Sequence, residues 1–194
     1  MVKISFSGIP GSGKTEVLAE VKKILSLRFR VEELEDLSAR NPFDADQVPE
    51  FALAFFRFSS QINNENLKRT RPLDFLLCDR SVIDHWIDWR LRRPQKEENP
   101  QLERRNQVLR NLFSFWSASY DAVFHIRSSY RDLQTRIAGS EKYDLDEKRC
   151  QELESAYMEV FSREGVTAWE IWNRNSIDES AHQLIQKVVE AGLL

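Results

Sequence analysis

Gly8-Ile9-Pro10-Gly11-Ser12-Gly13-Lys14-Thr15 is the stretch on which the reading of this chain turns. Val2-Lys3-Ile4-Ser5-Phe6-Ser7 precedes it as a short apolar strand, and Glu16-Val17-Leu18-Ala19-Glu20 follows it as the start of a helix. The eight residues satisfy G-x-x-x-x-G-K-[ST] at every fixed position, in the strand–loop–helix context that gives the pattern its meaning. Chemically this is a phosphate cradle. Glycines let the backbone curl until several N–H groups converge on phosphate oxygens. The helix that follows adds the positive end of its dipole. Gly8, Pro10, Gly11, Ser12, Gly13, Lys14 and Thr15 are therefore the expected phosphate-binding residues. Lys14 would reach the β- and γ-phosphates of a nucleotide, and Thr15 would hold Mg²⁺.

Working outward, strands and helices alternate. Val17, Leu18, Val21, Ile24 and Leu25 fall at helical spacing to about Leu27, and Phe29 to Leu34 reads as a second strand. Pro49 suits the first turn of a helix that continues through Phe58 and Ile62 to about Arg69. Asp74-Phe75-Leu76-Leu77-Cys78-Asp79 has the near-continuous apolar run of a buried parallel strand. A helix with Val82, Ile83, Trp86, Ile87 and Leu91 follows, then a charged segment around Pro94 with no assigned structure. Next come a helix from Leu102 to about Ser119, a strand Ala122–Ile126, a short helix Arg131–Ala138, a helix Asp146–Glu164 and a fifth strand Val166–Trp172. Ser176 with Glu179 forms a capping box for the last helix. Five such alternations predict one α/β domain over residues 1–194: a five-stranded parallel sheet with helices on both faces. Strand C-termini then share one edge with the glycine-rich loop.

Composition sets limits. The 194 residues are 41% hydrophobic and 30% charged, ordinary for a soluble globular protein. The net charge of −3 argues against a chain built mainly to hold nucleic-acid backbone. No apolar run is long enough to span a membrane. The first strand begins at once, which leaves no room for a leader and predicts a cytoplasmic protein. Cys78 and Cys150 lack metal-ligand neighbours and read as reduced core thiols. His85, His125 and His182 stand singly, and His125 reads as a core or edge residue. Trp86, Trp89 and Trp116 read as core, with Trp89 the one that could face outward and line an acceptor pocket; the aromatics leave room for a homodimer.

Asp79-Arg80-Ser81 ends the third strand. An acidic residue there would lie beside the cradle and hold Mg²⁺, or take the proton of an acceptor hydroxyl. Arg80 would face phosphate charge with its fork of donors. The competing reading is that Asp79 or Ser81 only caps the next helix. After the fourth strand come Arg127, Arg131 and Arg136, a charged helix or a lid.

With the cradle in place the chain resembles the P-loop NTPase superfamily. Strand, Asp-Arg-Ser and helix look like the Asp-Arg-x motif of thymidylate kinases and the acidic-Arg-Ser motif of deoxynucleoside kinases. Val82-Ile83-Asp84 is also similar to kinase-like families that include the nicotinamide riboside kinase domain. The resemblance implies an arginine-bearing lid over residues 128–145, with Arg136 and then Arg131 closing on the donor phosphates. It implies an acceptor site from Glu35, Arg40, Arg57 and Gln61, and Asn173 against the adenine ring. The expected activity is transfer of the γ-phosphoryl group of ATP, with Mg²⁺, to a small acceptor such as a nucleoside, a nucleotide or a related metabolite. Two alternatives stand beside it. One is a regulatory nucleotide-binding switch acting through a protein partner, although an Asn-Lys-x-Asp guanine signature is absent. The other is a polynucleotide 5′-hydroxyl kinase.

Overall fold

Alternation along Val2–Ser7 sets the architecture. Ile4 and Phe6 enter one core layer, and Lys3, Ser5 and Ser7 turn to the opposite face, where all three are buried. A strand buried on both sides must be central, and β1 (Val2–Ser7) is. The computed structural model describes residues 1–35, 49–92, 100–137, 145–174 and 176–194. Within them the element order is β1, α1 (Lys14–Leu25), β2 (Val31–Leu34), α2 (Glu50–Arg69), β3 (Phe75–Asp79), α3 (Val82–Arg92), α4 (Pro100–Ser117), β4 (Ala122–Arg127), α5 (Tyr130–Ile137), α6 (Glu147–Arg163), β5 (Trp169–Trp172) and α7 (Ile177–Glu190).

The strands pair in parallel in the order β2-β3-β1-β4-β5. Register decides what meets at the carboxyl edge. Phe6 stands opposite Asp79 on β3, and Ser7 opposite His125 on β4. The loop that leaves β1 therefore emerges between the ends of two neighbouring strands. On one face α1 and α7 bury Val17, Leu18, Val21, Leu184 and Val188 against Ile4, Phe6, Leu77 and Phe124. On the other, Phe58 of α2, Ile83, Trp86 and Ile87 of α3, Leu109 and Phe113 of α4 and Tyr157 and Val160 of α6 cover Leu76, Cys78 and Val123. The expected three-layer α/β fold is the observed one.

The fifth strand starts at Trp169 rather than Val166, because pairing begins only where Trp169 meets Phe124. The second starts at Val31 rather than Phe29. Phe29 instead bonds back to the end of α1 and packs edge-on against Phe75. Trp89 does not face outward: it is buried, and its indole N–H donates to Asn106 Oδ1 at 3.2 Å. Cys78, Cys150 and His125 are buried, as expected. Among the described residues no helix is long and apolar enough to cross a membrane.

The amino end of the polar face of β1 is held by one carboxylate. Glu65 of α2 is fully buried and accepts from Lys3 Nζ (2.7 Å), Trp116 Nε1 (2.6 Å), Tyr120 O–H (2.6 Å) and Gln61 Nε2 (2.8 Å). The Lys3 ammonium also lies over the Trp116 and Tyr120 rings, 4.7 and 4.2 Å from their centroids. Burial, then the Glu65 charge, pushes the Tyr120 phenol well above its usual range, so it stays a donor. Removing one partner of such a pair strands the other charge in the core. Glu65→Leu should therefore lower unfolding free energy by about 3–5 kcal/mol in urea titrations. A loss under about 1 kcal/mol would place Lys3 in contact with water.

Candidate active site

The glycine-rich loop is pressed into place from several sides. Gly8 has φ +144°, and a Cβ there would collide with the Ile126 carbonyl oxygen at the end of β4. Only glycine lets the chain leave β1 so close to that backbone. Lys14 is buried, and its ammonium spans the loop, donating to the carbonyls of Gly8 and Ile9 at 2.8 Å each. Gly13 precedes α1 and has no side chain with which to cap it. The first N–H groups of α1 thus keep their capacity for an anion. Thr15 Oγ1 donates to Asp79 Oδ2 at 2.7 Å.

The turn after β3 answers the question of the cap. Ser81, not Asp79, caps α3: its hydroxyl accepts from Ile83 N at 3.2 Å. Asp79, which is buried, is directed to the loop through Thr15. Arg80 between them has φ +73°, a left-handed conformation that a non-glycine residue adopts at a cost. Its N–H donates to Phe6 O at 3.1 Å, and its carbonyl accepts from Gln61 Nε2 at 3.4 Å. The turn is held from the sheet and from α2.

Sequence reasoning did not single out Asp84 or Tyr157 as site residues. Asp84 Oδ2 accepts from Ser81 N (2.9 Å) and Ser7 Oγ (2.9 Å), and its Oδ1 accepts from Tyr157 O–H (2.6 Å) and Gly8 N (3.4 Å). The Tyr157 hydroxyl is also 3.0 Å from Gly8 O. Burial, then the neighbouring Asp84 charge, holds the Tyr157 phenol well above its usual range, so it serves as a neutral donor. Ser81-x-x-Asp84 is a capping-box spacing and could have drawn attention to Asp84. Nothing in the spacing of α6 marks Tyr157.

The arginines and the acceptor candidates fare differently. Arg136 of α5 reaches the loop, with its guanidinium 3.0 Å from Ser12 O. Arg131 is exposed on the same helix. Arg127 pairs with Glu154 and Glu170 and lies over the Trp172 ring. Asn173 follows β5 as expected, but it is fully buried and its amide donates to Ser12 O at 2.9 Å. The side chain is directed at the loop. Gln61 is neither on a solvated face nor directed at an acceptor; it is buried between Glu65 and the Arg80 carbonyl. Arg57 pairs with Asp88, and Asp88 also accepts from Arg92 Nε at 2.7 Å. These three, with Glu50, Leu53, Ala54 and Trp89, line a cavity of about 310 Å³ between α2 and α3. Glu35 is exposed at the end of β2. Arg40 and residues 138–144 of the expected lid lie outside the described residues.

A hard cation such as Mg²⁺ takes one or two protein oxygens and completes its shell with water and phosphate. The adjacent Thr15 hydroxyl and Asp79 carboxylate fit that requirement. Among the described residues there is no cluster of three or more His, Cys, Asp or Glu that would make an all-protein metal cage.

No family model and no curated protein matches this chain. Solved structures do. The thymidylate kinase of Candida albicans aligns with a TM-score of 0.68 over 99% of this chain and 92% of that one, at 12% identity. A deoxyadenosine kinase from M. mycoides with bound dATP gives 0.69 over 97% and 100%, at 16% identity. The same kinase with dCMP and a flexible dCDP gives 0.65 at 17% identity. The chain has the fold of these kinases.

Asp84 is the test of the site's floor. Asp84→Ala takes the carboxylate acceptor from the Ser81 N–H and the Ser7 hydroxyl and leaves Tyr157 O–H only the Gly8 carbonyl. It should cost about 2–4 kcal/mol of stability, and Tyr157→Phe about 1 kcal/mol, by chemical denaturation. Wild-type stability in Asp84→Ala would mean that the loop does not rest on this carboxylate.

Proposed function

We propose that this protein is a phosphotransferase that moves the γ-phosphoryl group of ATP, with Mg²⁺, to a small acceptor of the nucleoside or nucleotide class. The observation that carries the reading is the convergence of Lys14, Thr15 and Asp79 at the shared ends of β1 and β3, with Thr15 Oγ1 2.7 Å from Asp79 Oδ2. In this reading the loop amides and Lys14 bind the donor phosphates, and Mg²⁺ is held by Thr15 and Asp79. The ion would neutralise charge on the phosphates. Arg80 and the α5 arginines Arg131 and Arg136 stabilise the charge that spreads over the transferred group. For a hydroxyl acceptor, Asp79 is the residue that takes the proton.

The cavity between α2 and α3 is the proposed acceptor pocket. Gln61 meets Arg80 where the sheet ends, and Arg57 meets Asp88 about one helical turn farther along α2. The cavity therefore opens beyond the carboxyl edge, where ligands of open parallel sheets bind. Its volume of about 310 Å³ suits a small metabolite. The named substrates of the fold neighbours, thymidylate and deoxyadenosine, point to the same class.

An ADP-release assay over nucleosides and nucleoside monophosphates tests the activity. One acceptor should stimulate turnover, and EDTA should abolish it. Turnover that responds to a protein partner but to no small acceptor would favour the regulatory reading. Lys14→Ala should lower turnover by about a hundredfold or more with the fold intact. Asp79→Asn should depress turnover far more than ATP affinity. If it changes only thermal stability, Asp79 is structural.

A further inference from the structure

On its Gly13 side the Ser12–Gly13 peptide has little conformational preference of its own to hold it. Gly13 lacks a Cβ and sits at φ +88°, so the peptide plane before it can turn over at little steric cost. Two side chains from distant elements nevertheless meet on its carbonyl. Asn173 Nδ2 donates to Ser12 O at 2.9 Å and Arg136 donates at 3.0 Å. A trans peptide is planar, with its C=O and N–H directed oppositely. Two donors on Ser12 O therefore aim the Gly13 N–H away from Asn173 and Arg136.

Asn173 is itself locked. Its backbone N–H donates to Arg127 O at 2.8 Å, and its carbonyl accepts from Ser128 Oγ and Arg136, each at 3.1 Å. The side-chain oxygen lies 3.2 Å from Ser180 Oγ of α7, a hydroxyl that shares its one proton between Asn173 Oδ1 and Ser176 O at 3.1 Å. Because a carbonyl oxygen only accepts, the amide NH₂ must be the end that faces Ser12. The site also explains its own glycine: a Cβ at Gly13 would collide with Asn173 Nδ2.

We infer that Asn173 and Arg136 clamp the Ser12 carbonyl and so aim the Gly13 N–H at the bound phosphate, with Ser180 fixing the Asn173 amide. Asn173 is then a positioning residue for the phosphate site. This rests on the phosphate-binding role proposed above. It also makes loop geometry depend on α5, since Arg136 ties that helix to both Ser12 and Asn173.

The test uses a probe without a base. Calorimetry with Mg²⁺ and either inorganic triphosphate or ATP compares the wild-type chain with Asn173→Ala and Ser180→Ala. In parallel, the Gly13 amide resonance is followed by ¹H–¹⁵N NMR. The clamp requires Asn173→Ala to weaken triphosphate and ATP alike, about tenfold, and Ser180→Ala to weaken both about threefold. At equal saturation the Gly13 resonance should move less in both variants than in the wild type. Loss of ATP affinity with unchanged triphosphate affinity would overturn the clamp in favour of a base contact. Unchanged affinity for both probes would overturn it outright. Should Asn173→Ala fail to fold, Ser180→Ala carries the same comparison, because Ser180 touches Asn173 but not Ser12. A wild-type chain that binds neither probe is a separate failure, that of the phosphate site itself.

Discussion

The close approach of the Gly8 backbone to the Ile126 carbonyl is the constraint on which the rest of the site depends. It exists because β1 pairs with β3 on one side and β4 on the other, so the loop leaving β1 has neighbours on both flanks. One neighbour supplies Asp79 and the other supplies the wall that fixes the loop's exit. A lysine at the head of α1 then folds back across the loop to its first carbonyls. Position, more than chemistry, distinguishes these residues from any other Gly, Lys and Asp.

The strand beneath the loop is unusual in what it buries. Lys3, Ser5 and Ser7 run along one face of a central strand, where an apolar side chain would ordinarily stand. Each has partners. Lys3 meets Glu65, Ser5 lies 3.2 Å from Ser7, and Ser7 donates to Asp84. A polar line therefore runs from the amino end of β1 to the floor of the loop. Its hydrogen bonds have directions, whereas apolar packing does not, so it restricts how α2, α3 and α6 can seat on this face. Gln61 extends that restriction to Arg80, whose left-handed backbone is held by surrounding structure rather than by its own preference.

Several arginines around the site are already engaged with the protein. Arg57 and Arg92 share Asp88, Arg127 is spent on Glu154 and Glu170, and Arg136 rests on carbonyls. Two consequences differ in kind. At the loop, such contacts hold the backbone in one arrangement. In the α2–α3 cavity, pairing leaves the wall close to neutral.

The chain's own sequence determined the alternation of strands and helices and the glycine-rich loop between the first strand and the first helix. Those features are local: hydrophobic period, glycine placement and the offset of Lys14 and Thr15 lie within short stretches. It also marked Asp79, because a carboxylate at the end of an apolar strand is visible without knowing the partner strand. Tertiary structure decided the rest. Tyr157, 149 residues from Gly8 in sequence, carries no local mark of the contact it makes. Asn173 looked like a polar turn facing a ligand and is buried on Ser12, 161 residues away. Gln61 sits on α2 at a spacing that reads equally as surface, and only the arrival of Lys3, Trp116 and Tyr120 around Glu65 turns that face inward. Hydrogen bonds between distant segments leave no period in a sequence, since each partner is chosen by a neighbour that the chain brings close only on folding.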